Sequence, residues 1–401
     1  MKELLIVKYG ELMLKGNNRP FFVNTLIRNI RNQLKDLGTF HIQKGQSLLF
    51  LRFDDQNALD EAAKRLIKVF GIVLYHRALE VEKDMEHIQR AAADYFHQQL
   101  HESNTFKLET RRSDKSFSYS SYEINTILGQ YLSAAFPHLK VDVHQPEVTI
   151  YLNIRRRGAY LYSDNVRGAG GLPVGTAGKA MVLLSGGIDS PLAAWLIARR
   201  GVIPEAVHFH SYPYTSERSK NKVIELARQL SLFTGKFKLH VFPFTGIQEA
   251  IVEHCPQDQV TIIMRRLMMR CAEKMAGIQK AQALITGESI GQVASQTMES
   301  LNVTNAAVQL PVFRPLIGMD KEEIVSYAKA IGTYNISIQP YNDCCTIFVP
   351  KHPQTKPRLQ SITASENRVD FEGYIEKAMA DTETIELEPE YFSGTRKFTN
   401  Q

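Results

Sequence analysis

Residues 181–191, Met-Val-Leu-Leu-Ser-Gly-Gly-Ile-Asp-Ser-Pro, constrain this chain more than any other stretch. Met181 to Leu184 is a short apolar run of the kind that forms a buried strand. Ser185-Gly186-Gly187 makes a tight turn, and Asp189 and Ser190 open a helix with Pro191 in its first turn, where a missing N–H costs little. A strand that passes through glycine into a helix N-terminus aims backbone N–H groups and the positive end of the helix dipole at one point. That is a cradle for a phosphate group. A bare Gly-Gly is equally at home in an ordinary strand–helix turn; the full Ser-Gly-Gly-x-Asp-Ser string is far more specific.

The texture around this stretch predicts strands alternating with helices. Strand 181–185 leads to a helix over 189–200, and 201–210 is the second strand with its approach. Thr215 or Ser216 caps a helix running to about Thr234, and Leu239 to Phe242 is a third strand. Helices near 246–254 and 258–276, a strand at 283–286 and a helix at 321–331 capped by Asp320 complete the succession. Such a pattern predicts a doubly wound parallel sheet, whose ligands lie beyond the carboxyl ends of the strands. Those ends are Ser185, His208-Phe209 and Thr286-Gly287, which places all three at one site.

The first half reads differently. Residues 2–8 form a strand, Gly10 to Asn18 a polar loop, and Phe22, Leu26, Ile30 and Leu34 a helical stripe ending at Gly38. A strand at 48–53 and a helix at 57–69 complete a small α+β domain of ferredoxin-like type. Beyond it are helices at 84–102 and 119–136 and strands at 106–111, 148–154 and 159–162. Basic residues gather at two strand ends: Lys107, Arg111, Arg112 and Lys115 at one, Arg155, Arg156 and Arg157 at the other, with Phe106, Phe117, Tyr119 and Tyr122 interleaved. One such cluster is ordinarily a solvated strand end; two in a small domain point to a surface for a phosphate backbone, where arginines position an RNA helix rather than read its sequence. Residues 164–179 hold five glycines and one proline, a density that predicts a linker between the halves.

Composition narrows the class. Hydrophobic content of 44% and charged content of 22% are those of a globular protein, and no apolar run approaches the ~20 residues of a membrane span. The N-terminus has too short an apolar core for a signal peptide. Four cysteines (Cys255, Cys271, Cys344 and Cys345), none in a Cys-x-x-Cys pair, give neither a disulfide framework nor a zinc or iron–sulfur site. A reduced, cytoplasmic protein is expected. The net charge of +6 is concentrated at the front: residues 1–170 carry 24 lysines and arginines against 19 aspartates and glutamates, and the remainder 24 against 23. That is mild support for a polyanionic partner of the N-terminal half.

The string at 185–190 resembles the pyrophosphatase loop (PP-loop) of enzymes that adenylate a substrate with ATP; it lacks the Gly-Lys-Ser/Thr of a Walker loop. Adenylation needs a base pocket, a pyrophosphate cradle and a means of neutralising the departing β- and γ-phosphates. Asp189 either holds Mg²⁺ or orients the loop, or is simply a helix-start carboxylate. His208 lines the adenine or is a core histidine. Arg265, on a very apolar helix, pairs with phosphate or snorkels to the surface. Lys321 opens a helix where the dipole disfavours a cation, a sign that something other than stability placed it. Cys344-Cys345, in a polar, proline-punctuated loop with Lys351 and His352, fits a nucleophilic sulfur, against which Asp343 works.

Three strings coincide: Lys-Tyr-Gly-Glu-Leu-Met-Leu-Lys-Gly-Asn-Asn-Arg at 8–19, Gly-Gly-Leu-Pro-Val-Gly-Thr-Ala-Gly-Lys running into the 181–191 stretch, and Asp-Cys-Cys-Thr-Ile-Phe-Val-Pro-Lys-His-Pro at 343–353. Together they resemble the ThiI family of tRNA 4-thiouridine synthetases over essentially the whole chain. The resemblance implies an N-terminal ferredoxin-like domain (1–60), a THUMP RNA-binding domain (61–165), the linker (166–178) and a PP-loop domain (179–401). It implies that uridine 8 of tRNA is adenylated at O4 by ATP with Mg²⁺, and that sulfur carried as a cysteine persulfide then displaces AMP. It also implies a cysteine desulfurase as donor, a link to the thiamine thiazole through a ThiS-like sulfur carrier protein, and a homodimer. By residue, the cradle falls on Ser185, Gly186, Gly187, Asp189 and Ser190, and the nucleotide pocket on Leu183, Leu184, His208, Phe209, Arg265, Gly287 and Gln296. The catalytic lysine falls on Lys321, and the sulfur carrier on Cys345, with adjacent Cys344 leaving the register open. The chain ends too soon after Cys345 for the C-terminal rhodanese domain some members carry, so a form lacking it is expected. Two other readings are a small-molecule adenylating ligase with the same loop, which leaves the basic half and the Cys-Cys loop unexplained, and an RNA-binding module with a decayed nucleotide fold, against which the intact loop argues.

Overall fold

The structure is a computed structural model in which residues 2–293, 295–341 and 354–391 are described. It divides into two compact units, Met1–Arg19 with Ile30–Gly171, and Pro20–Asn29 with Leu172–Gln401.

The first unit is built on one nine-stranded sheet. Its strands are β1 (Lys2–Lys8), β2 (Phe40–Lys44), β3 (Leu48–Phe53), β4 (Leu74–Val81), β5 (Thr105–Arg112), β6 (Lys140–Val141), β7 (Val148–Arg155), β8 (Gly158–Tyr162) and β9 (Val166–Arg167), in the order β2-β3-β1-β4-β8-β7-β5-β6 with β9 beside β4. The ferredoxin-like portion and the strands that follow it therefore share a sheet. β4 is the joint: one edge pairs antiparallel with β1, the other with β8 and β9. The sequence pattern conceals β4 because His76, Arg77 and Glu80 interrupt its apolar residues, and the charges of Arg77 and Glu80 are matched by partners on neighbouring elements. Arg77 pairs with Glu3 and Asp60, and Glu80 with Arg52. The helix expected over 84–102 is two, Met85–Tyr95 and His97–Glu102, broken at Phe96. The loop expected at 10–18 is wound into 3₁₀ turns over Glu11–Asn18, kinked at Gly16.

His76 is buried in β4 with its Nδ1 2.7 Å from the Asp164 carbonyl oxygen. Burial, aided by the nearby Lys8 and Arg111 cations, pushes its imidazole down to about 4 from an ordinary 6.5. A group that resists protonation only when folded contributes stability that is present above pH 6.5 and lost as pH falls toward 4. Melting of the protein across that window is expected to show a steeper loss for wild type than for His76→Gln; parallel curves would contradict the assignment.

The glycine-rich segment is held by backbone bonds at both ends rather than running free. Gly168 N–H donates to the Val73 carbonyl, Gly170 N–H to Ile72, and Gly71 N–H to Gly170. A Cβ on Gly168 would stand 2.4 Å from the Ile72 carbonyl oxygen, so glycine here permits close backbone approach. Further on, Leu172 N–H reaches the Arg199 carbonyl, and Gly175, Thr176 and Ala177 all donate to Gly201.

The second unit is a six-stranded sheet: β10 (Lys179–Leu183), β11 (Ile203–His210), β12 (Phe237–Pro243), β13 (Leu284–Ile285), β14 (Val312–Phe313) and β15 (Glu383–Leu387), in the order β14-β13-β10-β11-β12-β15. Five strands are parallel, as the doubly wound expectation requires; β15 adds an antiparallel edge. The apolar stripe of β15 is only Ile385 and Leu387, and cross-strand and neighbouring ion pairs add to it: Glu383 with Lys220, Glu386 with Lys238 and Glu388 with Lys236. The chain steps from β10 outward to β11 and β12, then returns to the other side of β10 for β13 and β14. The gap between β10 and β13 is thus the topological switch point, where doubly wound sheets bind ligands. Among the described residues no helix is long and apolar enough to cross a membrane.

Candidate nucleotide site and a cationic cleft

Helix Asp189–Ala198 starts at the switch point. Its approach is set by its own serines: Ser185 N–H donates to Ser190 Oγ at 2.9 Å, the two hydroxyls lie 3.1 Å apart, and Gly187 N–H donates to Ser185 Oγ at 3.3 Å. From outside the loop, Ser337 Oγ donates to the Gly187 carbonyl. Gly287, at the end of β13, lets the helix come in close: a Cβ there would lie 2.7 Å from Ser190 N and 2.8 Å from the Asp189 carbonyl carbon.

A pocket of about 260 Å³ opens beside this turn. Of the residues assigned from sequence, Leu183, Leu184, Ser185, Asp189, Ser190, His208, Phe209, Arg265, Gly287 and Gln296 line it; Gly186 and Gly187 belong to the loop but not to the lining. Thr286, expected at the site as the end of a strand, lines it too; sequence reasoning missed Met268, Met269, Glu288 and Thr304. The two methionines follow Arg265 by three and four positions on helix Val260–Gln279, so helical spacing from Arg265 was a usable signal. Thr304 carried none.

Asp189 and Lys321 meet across the mouth. Lys321 Nζ donates to Asp189 Oδ1 at 3.2 Å, and Gln292 Nε2 reaches Asp189 Oδ2 at 3.4 Å. Lys321 stands in the first turn of helix Lys321–Ala330, capped by Asp320, whose carboxylate accepts from Glu323 N–H at 2.8 Å. A carboxylate and an ammonium, both partly open to solvent beside a dipole-primed loop, can hold and then release phosphate charge.

Cys344 and Cys345 lie outside the described residues. The two cysteines that are described are buried, and burial pushes the Cys271 thiol up to about 12 and raises that of Cys255. Neither is a nucleophile. Among the described residues no group of histidine, cysteine and carboxylate side chains is arranged to hold a metal ion.

In the first unit a cleft of about 500 Å³ is lined by Lys8, Arg111, Arg112 and Arg155 with Tyr9, Ser47, Ser113 and Asn153, and by no carboxylate. Burial and the neighbouring Arg111 and Arg155 cations lower the pKa of Lys8. Three of the assigned basic residues, Arg111, Arg112 and Arg155, are therefore brought together. Arg112 also shapes the next loop, donating to the carbonyls of Phe117 and Tyr119 at 2.8 and 2.7 Å. The others stay apart from the cleft: Lys107 pairs with Glu109, and Lys115, Arg156 and Arg157 point to solvent. Lys8, at the end of β1, was not singled out by the sequence.

A Ser-Gly-Gly-x-Asp-Ser loop at the switch point of a parallel sheet, with an open pocket at its side, defines a PP-loop nucleotide-binding protein, here carrying a basic α+β unit in the same chain. Residues 175–371 match the family described as thiamine biosynthesis protein (ThiI), residues 4–75 the ThiI ferredoxin-like domain and residues 82–164 the THUMP domain. Relatives named "probable tRNA sulfurtransferase" include one from Caldanaerobacter subterraneus subsp. tengcongensis, 51% identical over 387 residues, and one from Thermoanaerobacter sp. (strain X514), 50% identical over 387 residues; each alignment covers 96% of this chain and 100% of the relative. The crystal structure of a 4-thiouridine synthetase–RNA complex with bound ATP is similar at a TM-score of 0.90 and 37% identity, covering 97% of this chain and 100% of that one. The chain belongs to the ThiI family.

Proposed function

We propose that the chain uses ATP to replace O4 of uridine 8 in tRNA by sulfur, giving 4-thiouridine. That it is a tRNA sulfurtransferase follows from family membership and from relatives matched along their whole length. The position modified, the sulfur donor and the roles of individual residues are our reading. The observation that carries it is the convergence of Asp189 and Lys321 at the carboxyl end of β10, beside a pocket of nucleotide size.

Adenine lies against Leu183, Phe209 and the Met268–Met269 face, and the triphosphate runs toward the helix N-terminus at Asp189. The loop amides and the dipole take up the negative charge of the leaving pyrophosphate as uridine O4 attacks the α-phosphate. Lys321, released from Asp189, adds a mobile cation to the same charge. Asp189 is the carboxylate that would hold Mg²⁺ together with the phosphates, and the ion would neutralise phosphate charge when bound. The tRNA backbone is gripped by Lys8, Arg111, Arg112 and Arg155. The outer sulfur of a persulfide on Cys345 or Cys344, loaded by a cysteine desulfurase, then attacks C4 and AMP leaves; a second thiol cleaves the resulting tRNA–S–S–cysteine bond, which frees 4-thiouridine and leaves a disulfide that an external thiol reductant returns to thiols. The same persulfide supplies a ThiS-like carrier for thiamine thiazole.

Mass spectrometry of tRNA from cells carrying Cys345→Ser or Cys344→Ser tests the sulfur step: loss of 4-thiouridine in the first alone makes Cys345 the carrier. Normal levels in both variants would remove these thiols from the reaction. Gly287→Ala tests the loop geometry. A methyl group 2.7 Å from Ser190 N must displace the helix start. Thiolation is expected to fall roughly 10²-fold, as for an ångström-scale misplacement of catalytic groups, with little change in tRNA affinity.

A further inference from the structure

Glu288 lines the nucleotide pocket, although a carboxylate there repels a triphosphate. Its two oxygens are divided between two arginines. Oε1 accepts from Arg265 Nη1 at 3.2 Å, and Oε2 from Arg314 Nε at 2.8 Å and from Thr286 Oγ1 at 2.9 Å. Arg265 lines the pocket and Arg314 does not. The side chains of Arg265, Glu288 and Arg314 are only 23%, 12% and 15% exposed, so their charges are poorly screened. Arg265 is further fixed by the Ser295 carbonyl at 3.3 Å, and Arg314 by Asn305 Oδ1 at 3.1 Å.

We infer that Glu288 is a positioning residue for ATP binding: it holds Arg265 in the nucleotide pocket by neutralising the repulsion between Arg265 and Arg314. The two guanidiniums bond the two oxygens of this one carboxylate. Together the three groups carry one net positive charge, so the carboxylate costs the triphosphate nothing while it fixes the direction of the arginine. Without it, two poorly solvated like charges face each other, and the one with an open pocket before it swings away. This inference rests on the nucleotide reading of the pocket.

The test is equilibrium binding of ATP to the full chain, by calorimetry, for wild type and four variants. Glu288→Gln, which keeps shape and removes charge, is expected to weaken ATP binding about tenfold, the scale of one charged hydrogen bond. It is expected to raise KM for ATP by the same factor and to change kcat much less. In an Arg265→Met background, Glu288→Gln should add nothing, because its effect passes through Arg265. Glu288→Gln combined with Arg314→Met should recover most of the lost affinity. A residue that merely supported the fold would instead give additive losses in both double variants. Unchanged ATP affinity in Glu288→Gln, or additive losses, overturns the inference. If Glu288→Gln does not fold, Arg314→Met alone decides: affinity within about threefold of wild type is expected, and a loss of tenfold or more overturns the inference. Absence of ATP binding by wild type would overturn the nucleotide reading as well, which separates the two failures.

Discussion

Asp189→Ala is expected to lower 4-thiouridine formation by at least roughly 10²–10³-fold, the scale of losing one preorganised charge-stabilising group, and to leave tRNA affinity unchanged. Asp189 sits where the loop turns into its helix and is the only carboxylate hydrogen-bonded by Lys321 among the described residues. Its removal leaves Lys321 without an anchor and the phosphates without the group that would share their Mg²⁺. The basic cleft lies wholly in the first unit, with no lining residue from the second. Thiolation measured by mass spectrometry and tRNA binding measured by filter retention therefore part company in this variant. Loss of both together would mean that Asp189 supports folding rather than chemistry.

Arg111→Ala combined with Arg155→Ala is expected to do the reverse. Both arginines line the cleft, and both depress Lys8 by their charge. Each arginine removed from the RNA backbone should weaken tRNA binding roughly tenfold, and the slope of log affinity against log salt should fall by about 0.7–0.9 per arginine. ATP binding should be unaffected. A salt slope identical to that of wild type would take the cleft out of RNA recognition. Lys115→Ala, a cation on the exposed rim, is expected to matter much less.

These two variants also mark what the sequence reveals and what it hides. The strand–turn–helix at 181–191 is legible because every part of its function is local: an apolar strand, two glycines, a helix-start carboxylate and a proline where helices tolerate one. The strand ends at His208-Phe209 and Thr286-Gly287 are legible because a parallel sheet forces them to one edge. The Asp189–Lys321 pair spans 132 residues and depends on where helix Lys321–Ala330 is anchored, which no periodicity encodes. Gln292, the second partner of Asp189, sits in a loop with no pattern at all.

Two of the hidden strands, β4 and β15, bury apolar residues (Ala78, Leu79 and Val81 in one, Leu387 in the other), but paired charged residues stand among these and break up the apolar pattern in the sequence. The glycine-rich segment shows the opposite difficulty. Its composition reads as freedom, whereas Gly168 is there because the Ile72 carbonyl leaves room for nothing larger. The cationic cleft takes in only part of the two sequence clusters. Strand geometry brings Arg111 and Arg155 to the same opening as Lys8, while Arg156 and Arg157 lie in the turn beyond β7 and face solvent.

The central claim is that the loop at 185–190 activates a tRNA uridine and no small molecule. The direct measurement is AMP release by the purified protein with Mg²⁺, ATP and a persulfide-loaded desulfurase, with and without unmodified tRNA, while 4-thiouridine is counted in the same samples. The account predicts AMP and 4-thiouridine in equal amounts, both absent when tRNA is omitted. AMP release or ATP–pyrophosphate exchange that proceeds equally well without tRNA would contradict it and favour a small-molecule adenylating ligase.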